Sequence, residues 1–403
     1  MLIRSIQNLA QKLALDRGKM LFLSGPRQSG KTTLAKQFLG QGRSYFTWED
    51  LKFRREWSKS SVAFTESLLS ESDPILVLDE IHKNPRWKNE LKGVYDVLGD
   101  KVKIIVTGSA LLNSFRKGSD SLIGRFIHFH LMPFSLGEIL RPNPISFLSF
   151  LKKIQSSDFS ESKKEAHQIQ VELLQWGGFP EVFLAKSKGV HSIWTKNRLE
   201  LLVRQDLRDT SPFLSNNQIE VLASILPDKV GSPFSRSSIR EDLEISHTTV
   251  TRWLNALESV YYHYSIPPYS HRILRSLKKE PKVYLYDWST IESPGPRFEN
   301  MVASHLLKMV YFYNDTGQAD LSLYYLRNKE KQEVDFLLTN KRKPICMFEV
   351  KLSDIQLDKT YLKFQEQLSV PHFQIVNSKS TFRKYPEKSA TVIGFDRFFH
   401  DLP

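Results

Sequence analysis

The octapeptide Gly25-Pro26-Arg27-Gln28-Ser29-Gly30-Lys31-Thr32 constrains this chain more than any other stretch. It follows the apolar run MLFLS at 20–24 and leads into Thr33, Leu34, Ala35 and Phe38 at helical spacing. A strand, a glycine-bearing loop and a helix in that order turn backbone N–H groups inward, and the helix N-terminus adds a positive dipole. Such a loop fits a nucleoside triphosphate: Lys31 reaches the β- and γ-phosphates, and the Thr32 hydroxyl is offered to Mg2+. ATP and Mg2+ are the expected ligands. Further on, Ile75-Leu76-Val77-Leu78 reads as a buried strand ending in Asp79 and Glu80. After a P-loop, that pair is expected to place Asp79 near Mg2+ and Glu80 where it orients and deprotonates a water. The next strand-like run ends in Thr107-Gly108-Ser109. Its hydroxyls either sense the γ-phosphate, if that strand lies between the other two, or close an ordinary turn.

Composition removes several other chemistries. The 403 residues include one cysteine, Cys346, so neither an intrachain disulfide nor a cysteine zinc site can form. The 11 histidines fall in no HExxH or Cys/His cluster. No apolar run approaches the roughly 18–20 residues of a membrane span, and charge interrupts the N-terminal apolar residues, so a cytoplasmic protein without a membrane partner is expected. Lys and Arg number 57 against 44 Asp and Glu, a formal +13, which makes DNA or RNA a candidate partner beside the alternative of a merely solvated basic surface.

The order of elements predicts an α/β chain in four parts. Residues 1–140 alternate strand-like runs with helical stretches, as in an α/β domain around a parallel sheet. Residues 141–210 read as a helical lobe around the GGFPE turn at 177–181. Residues 211–280 have the order of a winged helix-turn-helix, three short helices and then the strand-forming YYHYSI. Residues 281–403 return to strands around a helix near 298–310 and form a second α/β domain.

Within the third part, Ser246 is placed to cap a helix over 247–259 whose Val250, Leu254 and Leu257 share an apolar face. His247, Thr248, Thr249 and Arg252 then lie outward, where a recognition helix meets bases or phosphates; the alternative is an interdomain connector. Arg272, Arg275, Lys278, Lys279 and Lys282 make the densest basic stretch, either a second phosphate contact or a solvated face. In the last part, strand alternation sets Asp335 opposite Val334 and Phe336, and puts Glu349 and Lys351 on one face. Two neighbouring strands could converge these three into the carboxylate and lysine set that metal-dependent phosphodiester cleavage uses, or Lys351 could simply neutralise Glu349.

These residues resemble a family of bacterial and archaeal AAA-type ATP-binding proteins that join the ATPase to a restriction-endonuclease-like C-terminal domain. The resemblance spans nearly the whole chain. It rests on GPRQSGKTTL, ILVLDEIHK, VTGSA, Gly124-Arg125, MPFSLGEI, GGFPE, Arg-Gln-Asp at 204–206, EVDFLL and FEVK. It implies a P-loop AAA-type domain, a helical lobe, a winged helix and a nuclease-like domain. Residues 25–33, Asp79 and Ser109 would hold nucleotide, Thr32 and Asp79 would hold Mg2+, and Lys31 and Glu80 would serve catalysis. It makes Arg125 a candidate arginine finger, acting in its own chain or in a neighbouring copy of a homo-oligomer, or else paired with a structural carboxylate. Asp50 would stand near the nucleotide, or serve as a cap. Glu299 is similar to the additional acid of the nuclease core, so Glu299, Asp335 and Glu349 would be metal ligands beside a catalytic Lys351.

Overall fold

The computed structural model describes residues 2–39, 44–69, 74–108, 122–141, 143–207, 216–270, 280–353 and 356–403. It divides into two compact units, Met1–Met132 and Pro133–Pro403.

In the first unit β1 (Met20–Ser24), β2 (Tyr45–Thr47), β3 (Ile75–Asp79), β4 (Lys103–Thr107) and β5 (Phe126–His130) form one parallel sheet of order β2-β3-β4-β1-β5. Because helices cover a parallel sheet on both faces, its central strands are apolar throughout instead of alternating. Leu21, Phe22 and Leu23 are all fully buried, as are Leu76, Val77 and Leu78. On one face Met20, Phe22, Leu76, Leu78, Ile104 and Val106 pack with Phe53 and Trp57 of the helix Leu51–Lys59 and with Trp87, Leu91 and Val94 of the helix Trp87–Leu98. β4 lies between β1 and β3, so the three sequence segments with phosphate and metal chemistry end side by side at the C-terminal edge of the sheet. Crevices at such edges are where open α/β sheets bind ligands.

The second unit begins with helices, including Phe147–Ser156, Lys164–Trp176 and Lys188–Leu201, the last running into a π-helical turn at Leu202–Asp206. Arg204 of the Arg-Gln-Asp segment is exposed on that turn and pairs with Glu200 at 2.8 Å and Glu220 at 3.2 Å, while Asp206 points inward. The GGFPE glycines bring two chain segments into close contact. A Cβ on Gly177 would stand 2.9 Å from Asp287 Oδ1, and one on Gly178 would stand 2.8 Å from the Trp288 ring.

Three helices follow, Asn216–Ile225, Arg236–Asp242 and His247–Ser259, then an antiparallel pair of β6 (His263–Ile266) and β7 (Lys282–Leu285). Ser246 caps the third helix, accepting from Thr249 N at 3.1 Å, and Val250, Trp253, Leu254 and Leu257 are buried. Both features agree with the amphipathic reading of this segment.

The long helix Pro294–Asp315 packs on a six-stranded mixed sheet of β8 (Leu321–Arg327), β9 (Glu333–Asn340), β10 (Lys343–Lys351), β11 (His372–Val376), β12 (Phe382–Tyr385) and β13 (Ala390–Gly394). The order is β12-β13-β11-β10-β9-β8; β8, β9 and β10 are antiparallel neighbours, and β10, β11 and β13 run parallel.

His305 of the long helix is fully inside, with Nδ1–H donating to Met301 O at 2.7 Å and Nε2 accepting from Leu136 N at 3.0 Å. Only the neutral imidazole satisfies both bonds. Burial pushes its pKa from 6.5 down to about 3. Below about pH 6.5 the unfolded chain therefore takes up a proton that the folded chain refuses. Stability should fall as pH drops from that point toward 3, by up to about 1.4 kcal/mol per pH unit from this group. Urea unfolding at pH 7, 6 and 5 should show this loss, and His305→Gln should make the slope shallower; an unchanged slope refutes the assignment.

Candidate nucleotide site and the C-terminal acidic cluster

The loop between β1 and the helix Lys31–Phe38 needs unusual backbone at three points: Gly25 has φ 147°, Gln28 φ 64° and Gly30 φ 95°. A Cβ on Gly25 would lie 2.3 Å from Leu131 O, so only glycine lets the strand end pass β5's continuation. Lys31 is nearly buried and arches over the loop, its Nζ donating to Gly25 O at 2.9 Å and Pro26 O at 2.7 Å. Arg4, also buried, braces the loop from beneath by donating to Ser29 O at 2.8 Å and to Met132 O. Arg27 and Gln28 are partly exposed, Thr33 is exposed, and Ser29 is fully buried. Ser29 Oγ and Gln28 Oε1 are buried with no hydrogen-bond partner among the described residues. A cradle with inward polar groups, a buried ammonium and a glycine whose side-chain space is filled fits a polyphosphate.

Asp79 is the hub of the adjoining edge. Its Oδ2 accepts from Thr32 Oγ1 at 2.9 Å and from the Tyr45 hydroxyl at 2.6 Å, while Oδ1 accepts from Thr107 Oγ1. Thr32 and Asp79, bonded oxygen to oxygen, are hard oxygen donors of the kind that Mg2+ favours. Burial, then the Asp79 carboxylate, pushes the Tyr45 phenol well above its ordinary value, so it stays a donor. Glu80 takes the left-handed conformation at φ 57°, with its amide donating to Thr107 O at 3.0 Å and its carboxylate 3.4 Å from His82 Nε2. His82 is buried, and desolvation lowers its pKa to about 4, so it faces Glu80 as a neutral ring.

Gly108 N donates to Leu23 O at 3.2 Å, tying the end of β4 to β1; Ser109 lies outside the described residues. Arg125 is partly exposed just before β5, and its Nε and Nη2 donate to Asp96 at 2.7 and 3.1 Å. Asp50 caps the helix Leu51–Lys59 by accepting from Lys52 N at 2.8 Å. Sequence reasoning missed Tyr45 and Arg4. The only signal for Tyr45 was that β2 precedes the carboxylate strand, and Arg4 carried none.

In the second unit two of the three predicted carboxylates, Glu299 and Asp335, meet at Lys282 together with Glu333, which the sequence reading did not single out, while Glu349 pairs with Lys351. Lys282 Nζ lies 2.7 Å from Glu333 Oε1, 3.1 Å from Asp335 Oδ1 and 3.4 Å from Glu299 Oε1. Its side chain is 1% exposed, so Lys282 is no part of a basic surface stretch, and the rest of that stretch at 271–279 lies outside the described residues. Glu299 also accepts from the Tyr284 hydroxyl at 2.7 Å, and Asp335 Oδ2 accepts from Val350 N at 2.9 Å. Glu349 pairs with Lys351 at 2.9 Å, and Lys351 with Asp358 at 3.2 Å. Burial, followed by repulsion from Asp335, raises the carboxyl pKa of both Glu299 and Glu349. Among the described residues no group of three or more His, Cys, Asp and Glu is arranged to hold a metal ion. These residues do not fit a divalent cation.

Residues 17–140 match a family described as an AAA domain, and 168–292 and 294–397 match two domains of unknown function, DUF8612 and DUF4143. The chain is 23% identical to an uncharacterized protein of Methanocaldococcus jannaschii, covering 87% of this chain and 83% of that one. It is 22% identical to an uncharacterized protein of Mycobacterium tuberculosis, covering 84% and 71%. Among solved structures it is similar to the Aeropyrum pernix ORC1 protein in complex with DNA, at TM-score 0.32 and 14% identity over 75% of this chain and 94% of that one. It is also similar to AMPPCP-bound DnaA from Aquifex aeolicus, at TM-score 0.31 and 15% identity over 63% and 86%.

Proposed function

We propose that the first unit is a Mg2+-dependent ATPase and that its nucleotide state governs engagement of nucleic acid by the second unit, without nuclease activity. The observation that carries the reading is the joining of Lys31, Thr32, Asp79 and Thr107 at one edge of the sheet, with Glu80 beside them. In this reading residues 25–33 wrap the triphosphate, Lys31 leaves the loop carbonyls for the β- and γ-phosphates, and Glu80 orients a water and takes its proton. Thr32 and Asp79 would hold Mg2+, which neutralises phosphate charge when bound. Ser109 would contact the γ-phosphate, and Arg125 would serve as the finger once released from Asp96, in its own chain or from a second copy.

We take the segment from Asn216 to Leu285 as a winged helix with His247, Thr248 and Arg252 exposed on its third helix. The formal charge of +13 supports a polyanionic partner. The last domain reads as restriction-endonuclease-like from its mixed sheet and from Asp335, Glu349 and Lys351 on adjoining strands, and its lysine-filled acids favour a non-cleaving role. Fluorescence anisotropy with labelled duplex DNA and RNA across a salt series tests the nucleic-acid arm. Arg252→Ala should reduce the log–log salt slope by about one. If neither duplex binds at low salt, that arm fails while the ATPase reading stands or falls separately on hydrolysis.

A further inference from the structure

We infer that Lys282 is the resident cation of the acidic cluster in the C-terminal sheet, filling the space that a divalent ion would need and fastening β7 to that sheet. A lysine ammonium has three N–H donors, and three carboxylates from two elements face this one: Glu299 from the long helix, and Glu333 and Asp335 from β9. The match between donors and acceptors is complete, and the Tyr325 ring adds a π face 5.7 Å from Nζ.

The second oxygens of Asp335 and Glu333 are committed too. Asp335 Oδ2 takes the Val350 amide, and Glu333 Oε2 takes Arg327 at 3.3 Å. The Tyr284 hydroxyl shares Glu299 Oε1 with Lys282, and Lys351 neutralises Glu349 and Asp358. Mg2+ demands octahedral oxygens at about 2.0–2.1 Å, so it cannot enter beside an ammonium already in the centre of these acids. Burial opposes the charge on Lys282, yet Asp335, Glu299 and Glu333 outweigh it and hold the ammonium firmly protonated.

The lysine's placement shows what it fastens. Its strand pairs with β6, its neighbour Pro281 accepts from Phe234 N at 2.8 Å, and a Cβ on Gly231 would stand 2.9 Å from the Glu299 carboxylate. The ion pairs thus bind the segment that carries the third helix and β6 to the sheet that carries the acids. This role does not depend on whether the first unit hydrolyses ATP.

The test uses the full chain without nucleotide and Mn2+ alone as probe, with bound ion read by electron paramagnetic resonance. Asp335→Asn and Glu299→Gln should leave Mn2+ binding by the wild type unchanged. Lys282→Ala should gain a Mn2+ site that Lys282→Ala/Asp335→Asn loses again. Loss of wild-type Mn2+ binding in Asp335→Asn or Glu299→Gln would overturn the inference, as would a folded Lys282→Ala that gains no site. The wild-type arm decides the matter by itself if Lys282→Ala does not fold.

Discussion

Lys31→Ala should sharply weaken ATP binding, and Glu80→Gln should keep it while losing turnover. Hydrogen bonds to charged groups contribute about 1.5–3 kcal/mol each, so losing the ammonium should weaken affinity by roughly one to two orders of magnitude or more. Glu80 lies beyond the phosphate cradle, in a left-handed turn facing His82, and contributes no donor to the loop. Its neutral isostere should therefore lower kcat by about 10²–10⁴-fold, the usual contribution of a general base. Calorimetric titration with ATP and Mg2+ measures the first effect, and phosphate release measures the second. Tight binding unchanged by Lys31→Ala would sink the nucleotide site itself, and unimpaired hydrolysis by Glu80→Gln would move the base elsewhere.

The second large effect concerns stability. Lys308 of the long helix donates to Glu138 Oε2 at 2.6 Å and to Pro133 O at 2.9 Å, with the lysine and glutamate side chains 9% and 2% exposed. Removing one member of a buried pair leaves an uncompensated charge and costs about 3–5 kcal/mol. Lys308→Ala should accordingly lower the urea midpoint sharply, whereas Lys308→Met/Glu138→Leu should recover most of the loss because two apolar chains of similar size replace both charges. A mild effect of the single change would mean that water reaches Glu138. The MPFSLGEI segment thereby gains a structural explanation: its glutamate is an internal anchor for Lys308.

How much of this was legible in the sequence depends on the range of the forces involved. The central strands β1, β3 and β4 of the first sheet stood out because burial on both faces makes each a continuous apolar run, and the P-loop because its backbone geometry is encoded locally by Gly25 and Gly30. The short strands Phe382–Tyr385 and Ala390–Gly394 gave no comparable signal, since the first is an edge strand with exposed Arg383 and Lys384. Tyr45 and Arg4 reach the nucleotide site across 34 and 25 residues of sequence, and no local pattern announces contacts of that kind. Lys282 was misread for the opposite reason. It ends a run of basic residues and borrows their apparent character, but it is also the first residue of β7, whose apolar Val283 and Leu285 are buried. Membership of that strand decided its fate over the company of its neighbours. Alternation on β9 and β10 fixes the faces of Asp335 and Glu349, but Glu333 went unnoticed, and the identity of the cation beside Glu299 and Asp335 is a tertiary fact.

The placement of β7 bears on modular exchange between chains of this architecture. Family boundaries put residue 282 with the preceding region and 294–397 in a separate domain, yet Leu285 N and O are both bonded to the Asn300 side chain at 2.7 Å. A fragment that began at residue 294 would carry Glu299, Glu333 and Asp335 without their ammonium, would lose the Tyr284 hydroxyl, and would leave the Asn300 amide facing no backbone. Recombination at the family boundary would thus transplant a like-charged cavity. The smallest transferable C-terminal piece begins before Lys282, so the strand is inherited with the acids it neutralises, and the boundary drawn from sequence similarity cuts through a single electrostatic object.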